Sequence, residues 1–204
     1  VKLVVIACNT AAAAALRSLQ RSFDVPIIGV VEPGARAAVV ETRNRRVGVL
    51  ATEGTVRSRA YEKAVHSLDA GIDVYAQAAP EFVPLIERGI TEGPELEAHA
   101  RGYLAPMKKL GVDAVILGCT HYPLISETIN REMGPEVRLI SSAGQTALEV
   151  GHVLSRRGYL RRSHDTDDLG AATYICSADP EEFAALGSRF LDEEIRAVAP
   201  AAAV

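Results

Sequence analysis

No apolar run in this chain approaches the roughly 18 residues that a membrane-crossing helix needs. Nor does it carry the basic start and small-residue cleavage site of a secretory signal. A cytoplasmic protein with no membrane partner is expected. Basic clusters are scarce as well: apart from Arg43-Asn44-Arg45-Arg46 and Arg156-Arg157 there is no concentration of Lys or Arg, and the formal charge is −4. A nucleic-acid surface needs a concentrated basic footprint, so nucleic acid is excluded as a partner and small-molecule work is expected. Cysteine is sparse, with three residues and no close pair. That fits reduced thiols better than a disulfide framework. What the chain does have is length: 204 residues, 48% of them hydrophobic, suffice for one sizeable core or two small ones.

Against that background two cysteines stand out. Val4-Val5-Ile6-Ala7-Cys8-Asn9-Thr10 is echoed by Val115-Ile116-Leu117-Gly118-Cys119-Thr120-His121, each a short β-branched run, a small residue, a cysteine and then polar side chains. Such runs read as fully buried parallel strands, so both cysteines fall at a strand's carboxyl end, where open α/β sheets place their ligand crevice. A second apolar run follows each at nearly the same distance, at Val25-Pro26-Ile27-Ile28 and Val137-Arg138-Leu139-Ile140. One strand–helix–strand unit is used twice, and two copies facing each other would direct two thiols into one cleft.

The rest of the chain alternates in the same way. Ala11 to Gln20 is built of strong helix formers, with Asn9 or Thr10 as its natural N-cap. Strand 25–31 leads through Glu32-Pro33-Gly34 to a helix over 35–42. Strand 46–51 ends in Thr52-Glu53-Gly54-Thr55, which opens a helix over 56–68 and offers N–H groups and hydroxyls to an anion. A strand over 73–77, a loop and short helix over 79–89 and a longer helix over 95–110 deliver the chain to the second cysteine strand, 113–118. A helix to Met133, a strand over 137–141, a helix over 143–157, an exposed loop over 161–170, a strand over 173–176 and a helix over 180–195 follow, and the tail from Ala199 is expected to fray. The fold class is α/β: two similar domains with mainly parallel sheets flanked by helices, and a cleft between them.

Taking a proton from a carbon beside a carboxylate demands a strong base, and a thiolate is one when its surroundings activate it. Without a cofactor, inversion at such a carbon needs one base on each face, and two matched thiols meet that demand. For either cysteine alone a buried, inert thiol is the better reading, because Cys is among the most buried residue types; the matched contexts reverse it. A metal site is the other alternative, but Cys8, Cys119 and His121 lack a C-x-x-C pair and a fourth ligand at typical spacing. His121, two positions after Cys119, is a credible general acid there, whereas His66, His99, His152 and His164 have no such neighbour and are expected to face solvent. Glu87 and Glu32 lie in strand-end loops, and the pattern does not choose between them. Cys176 is expected to be structural.

At Ala7-Cys8-Asn9-Thr10-Ala11 and Gly118-Cys119-Thr120-His121-Tyr122-Pro123, supported by Gly48-x-x-x-Thr52-x-Gly54-Thr55 and Phe82-Val83-Pro84-Leu85-Ile86-Glu87, the chain resembles the glutamate racemases of the aspartate/glutamate racemase superfamily. The resemblance implies an isomerase that interconverts L- and D-glutamate without cofactor or metal and supplies D-glutamate for peptidoglycan, hence for cell-wall biogenesis and cell shape. It implies that Cys8 takes the α-proton of D-glutamate and Cys119 that of L-glutamate, that Glu87 and His121 assist, and that Asn9, Thr10, Thr52, Thr55 and Thr120 hold the substrate's ammonium and carboxylates. It implies two domains, 1–33 with 146–204 and 34–145, and leaves a homodimer open.

The family's Asp-Ser-Gly-x-Gly-Gly and Pro-Tyr-Gly loops do not occur in these residues, and Val1 enters directly into the first strand. The expectation is a chain without the family's N-terminal unit and with little racemisation of its own. The alternatives are a racemase or isomerase of another small acid, and a non-catalytic ligand-binding remnant.

Overall fold

A computed structural model describes residues 1–161, 171–196 and 198–201. The chain forms two compact units, residues 1–160 and 161–204.

The first unit begins with β1 (Val4–Ile6), α1 (Asn9–Ser22) and β2 (Ile27–Gly29). β1 and β2 pair in parallel, Val4 opposite Ile27 and Ile6 opposite Gly29. Asn9, Ala12 and Leu16 make the buried stripe of α1 at helical spacing. Gly29 is small by necessity, since a Cβ there would lie 2.7 Å from Leu16 Cδ2. The N-cap of α1 is Cys8, not Asn9 or Thr10: its backbone is extended, while Asn9 and Thr10 are already helical. The polar side chains that the sequence offered as caps are committed elsewhere, as described below.

The next helix, α2 (Val31–Glu41), starts four residues before the expected position, and β2 stops two residues early. Pro33 does not break it, because N–H groups in a helix's first turn have no intrahelical acceptor to lose. β3 (Arg46–Ala51) follows, and then two helices, α3 (Glu53–Ser58) and α4 (Ala60–Leu68), in place of the single one expected. The break is at Arg59, which has φ of +54°. Ser58 causes it by substituting for the helical ladder: its hydroxyl donates to the Thr55 carbonyl at 2.6 Å and accepts from the Ala60 N–H at 3.1 Å.

β4 (Asp73–Ala78), α5 (Phe82–Glu87), α6 (Pro94–Lys109), β5 (Ala114–Gly118), a 3₁₀ turn over Tyr122–Ile125, α7 (Ser126–Met133), β6 (Arg138–Ser141) and α8 (Ser142–Arg156) complete the unit. β3 to β6 form one parallel sheet in the order β4-β3-β5-β6. Val47 to Ala51 and Ala114 to Gly118 are buried without interruption, as strands covered on both faces must be. On one face Val47, Val49, Ala51, Ala114, Ile116 and Ile140 pack with α2 and α4. On the other, Gly48 leaves room for Met107 of α6, whose Sδ would lie 2.9 Å from an added Cβ.

In the second unit β7 (Tyr174–Cys176) and β8 (Val198–Pro200) pair in parallel around α9 (Pro180–Leu191). Asp179 caps α9 by accepting from the N–H groups of Glu181 and Glu182 at 2.8 and 2.9 Å. The helix stops at Leu191, short of the expected Ile195, because Asp192 turns left-handed at φ +51°. Ile195 is then free to pack on Gly187. Ala199 and Pro200, expected in a frayed tail, belong to β8. Residues 162–170 of the expected loop, and 202–204 of the tail, lie outside the described residues. The fold is thus α/β, with parallel sheets flanked by helices.

Candidate active site

Parallel strands direct their carboxyl ends to one edge of a sheet, and each sheet of the first unit presents a cysteine there. Cys8 follows β1, is exposed, and opens α1. Cys119 follows β5 and is buried, with 8% of its surface accessible. Burial pushes the Cys119 thiol above its ordinary value; the His121 N–H pulls it down, nearby Cys8 pushes it up again, and Thr120 pulls it down through its hydroxyl and N–H.

Cys119 has a line of partners. His121 Nδ1 lies 3.7 Å from the Cys119 sulfur, and His121 Nε2 lies 3.1 Å from Glu87 Oε1. A thiol, an imidazole and a carboxylate in sequence can move a proton between sulfur and ring and stabilise the imidazolium that results. Residues far apart in the chain are held to this line by an aromatic wedge. Tyr122, next to His121, packs edge-on against Phe82 at 5.3 Å and donates its hydroxyl to the Ala79 carbonyl at 2.9 Å. Phe82 begins α5 and Glu87 ends it, so Tyr122 fixes the helix that carries the carboxylate. Phe82 meets Tyr103 of α6 in the same edge-on way, also at 5.3 Å.

Around Cys8 the polar groups are hydroxyls. Thr10 lies 2.8 Å from the Thr52 oxygen and 3.0 Å from that of Thr55, and Thr52 and Thr55 are 3.1 Å apart. Thr52 also caps α3, accepting from the Thr55 N–H at 3.4 Å. Gly54 permits this approach of α1 to α3, since a Cβ there would be 3.0 Å from Thr10 Cγ2. Asn9 is 2% exposed; its Oδ1 accepts from the Tyr61 hydroxyl at 2.6 Å, and its buried Nδ2 has no partner among the described residues. Thr120 is exposed beside Cys119.

The residues named from sequence thus fall into two groups, Cys119 with His121, Glu87 and Thr120, and Cys8 with Asn9, Thr10, Thr52 and Thr55. Glu32 joins neither; it lies exposed in the first turn of α2. Tyr61 was not singled out, although a tyrosine one turn before Val65 on the buried stripe of a helix signals a hydroxyl that must find a partner. His66 and His152 are exposed, whereas His99 is half-buried and stacks on Tyr103 at 6.1 Å, contrary to expectation. His164 lies outside the described residues. Cys176 donates to the Ala178 carbonyl at 3.4 Å within the second unit. Among the described residues no group of three His, Cys, Asp or Glu side chains is arranged to hold a metal ion, and no helix is long and apolar enough to cross a membrane.

The Asp/Glu/Hydantoin racemase family model matches residues 1–149, the stretch that contains both groups of candidate site residues. The chain belongs to this racemase family. It is 46% identical over 191 residues to a glutamate racemase from Geobacter metallireducens, covering 94% of this chain and 70% of that one. Its structure superimposes on that of the glutamate racemase isoform RacE1 from Bacillus anthracis with a TM-score of 0.91 at 35% identity, covering 100% of this chain and 74% of that one. A glutamate racemase from Francisella tularensis in complex with D-glutamate gives a TM-score of 0.90 at 31% identity, covering 99% and 74%. The α/β architecture read from the strand pattern is the one these racemases share.

Proposed function

We propose that this racemase-family chain interconverts L- and D-glutamate by two-thiol acid–base chemistry, with Cys8 and Cys119 on opposite faces of the α-carbon. The observation that carries the reading is that two cysteines close two different parallel sheets, one of them backed by a histidine–glutamate pair and the other opening α1 beside a threonine cluster. Relatives named glutamate racemase supply the substrate.

In the direction from D-glutamate the Cys8 thiolate removes the α-proton, and the Cys119 S–H delivers one to the opposite face. The C–H bond broken on one side is replaced by one formed on the other, and the thiolate has changed places. The reverse direction needs Cys119 ionised. Burial opposes this, and the imidazole of His121 offsets it by accepting the proton while Glu87 holds the ring. Asn9, Thr10, Thr52, Thr55 and Thr120 hold the substrate's polar ends. D-Glutamate made in this way would serve peptidoglycan synthesis in the cytoplasm.

Incubation with each enantiomer in D₂O tests the reading, because deuterium enters at the α-carbon only if the C–H bond is broken. Exchange from both glutamate enantiomers, and not from aspartate, is expected. Absence of exchange from either, with binding intact, would leave a ligand-binding protein in its place.

A further inference from the structure

Tyr61 takes no part in the proton path, yet it is buried, at 2% exposure. Its phenol is wedged where three elements converge: a Cβ on Gly34 would lie 3.3 Å from the Tyr61 ring, and one on Gly118 3.2 Å from it. It donates to Asn9 Oδ1, next to Cys8, and it responds to charge on Cys119. It therefore links the start of α1, beside Cys8, to the end of β5, before Cys119, without being one of the groups that exchange protons.

The direction of its hydrogen bond matters. A carboxamide presents a donor on one side and an acceptor on the other, and rotation by half a turn exchanges them. The structure has the phenol O–H donating to Asn9 Oδ1 at 2.6 Å. Oδ1 therefore faces Tyr61, and Nδ2 faces away from it. That Nδ2 is buried and unpartnered, and a buried donor without an acceptor is rare enough in native structures to require an explanation. An N–H donor suits a carboxylate oxygen and cannot serve an ammonium.

We infer that Tyr61 is a positioning residue: it locks the Asn9 amide with Nδ2 offered to a substrate carboxylate, and so makes Asn9 a carboxylate holder and not an ammonium holder. The inference rests on the amino-acid racemase reading for its substrate, but the lock itself concerns any small carboxylate.

The test uses Tyr61→Phe, Asn9→Ala and the double variant, each titrated with D-glutamate and with glutarate, which has both carboxylates and no ammonium. α-Deuterium exchange is followed in parallel. Loss of the lock should weaken binding of both ligands by the same factor, roughly tenfold for one hydrogen bond to a charged group. It should raise KM more than it lowers kcat. Since Tyr61 acts through Asn9, the double variant should be no worse than Asn9→Ala alone. Unchanged glutarate affinity in Tyr61→Phe, or losses that multiply in the double variant, would overturn the inference. If Tyr61→Phe lowers the melting temperature so far that binding cannot be read, Asn9→Ala still decides whether the amide holds a carboxylate; the same loss on both ligands is expected, and none would overturn the proposal. A wild-type chain that binds glutarate but exchanges no α-proton refutes the racemase reading and leaves the Tyr61 comparison decisive.

Discussion

The two cysteines follow strands of similar sequence, yet β1 is only half-buried where β5 is buried throughout, and the surroundings of the two thiols differ. Cys119 is buried, its thiol is raised, and a histidine, a glutamate and an aromatic wedge stand behind it. Cys8 is exposed, with a threonine cluster for company. Repetition of a strand–helix–strand unit reproduces the position of a nucleophilic atom, because position is set by backbone. It does not reproduce reactivity, because that is set by what packs against the atom from other parts of the chain. A reaction that must run both ways over one carbon can thus be served by two thiols brought to the same task by different means.

Removing either sulfur breaks the comparison most severely. Cys8→Ala and Cys119→Ala should each cost at least about 10²–10⁴-fold in racemisation, the range typical of a lost acid or base, since neither thiol can do the work of the other. The variants should part company in stability. Cys119→Ala empties buried volume and should lower the melting temperature, whereas Cys8→Ala at an exposed position should barely move it. Near-normal turnover in either would end the two-thiol mechanism.

His121→Asn comes next and probes the asymmetry directly. Slowing of roughly 10²-fold is expected where Cys119 is the base, from L-glutamate, with a smaller effect from D-glutamate, where Cys119 begins as the acid. Progress curves from each enantiomer read the two directions separately. Equal losses would assign His121 to holding substrate.

How far this asymmetry could be read in advance is instructive. The strands were legible because parallel strands buried on both faces are written as unbroken apolar runs, as in Val115-Ile116-Leu117. Strand ends locate a crevice, so both cysteines were legible with them, and His121 because it lies two residues from Cys119. That Glu87 rather than Glu32 reaches the imidazole was named by the family resemblance and not by the residue pattern alone, since Tyr122 and Phe82 decide it across a long sequence separation. Tyr61 was missed for the same reason: its partners, Asn9 and Ser142, come from opposite ends of the first unit. Local rules also gave way where side chains intervened, at the Ser58 hydroxyl that splits α3 from α4 and at Asn9, drawn from capping duty into the core.

Thiol labelling sharpens the comparison at a smaller scale. With iodoacetamide at neutral pH, Cys8 should react several-fold faster than Cys119, because reaction needs an accessible thiolate. As pH rises, the Cys119 rate should climb with a midpoint above the ordinary thiol value of 9.0, since burial penalises its ionised form. Peptide mapping at each pH measures both sites in one sample. A Cys119 midpoint below 9 would show that its surroundings activate the resting thiolate.

The smallest effect concerns the other end of the strand that carries Cys119. Asp113, just before β5, accepts from the Thr42 hydroxyl at 2.6 Å and from the Arg43 and Asn44 N–H groups at 2.7 and 2.9 Å. Burial pulls its carboxyl upward, but these hydrogen bonds prevail and hold it below the ordinary 3.8. A carboxyl depressed on folding adds stability that is whole above the unfolded value and drains away as pH falls through the folded one. Stability should therefore be flat in this contribution above about pH 4 and decline below it. Asp113→Asn should remove that decline, lower stability at neutral pH by up to about 1 kcal/mol, since solvent screens a partly exposed carboxyl and the amide oxygen still accepts, and leave turnover unchanged because the residue touches none of the groups at the strand's other end. Melting temperatures across pH 2 to 7, taken with rates at pH 7, check all three. A loss of turnover without a loss of stability would mean that the start of β5 is coupled to Cys119, and that the contrast between the two thiols extends along the whole strand instead of residing in the side chains at its end.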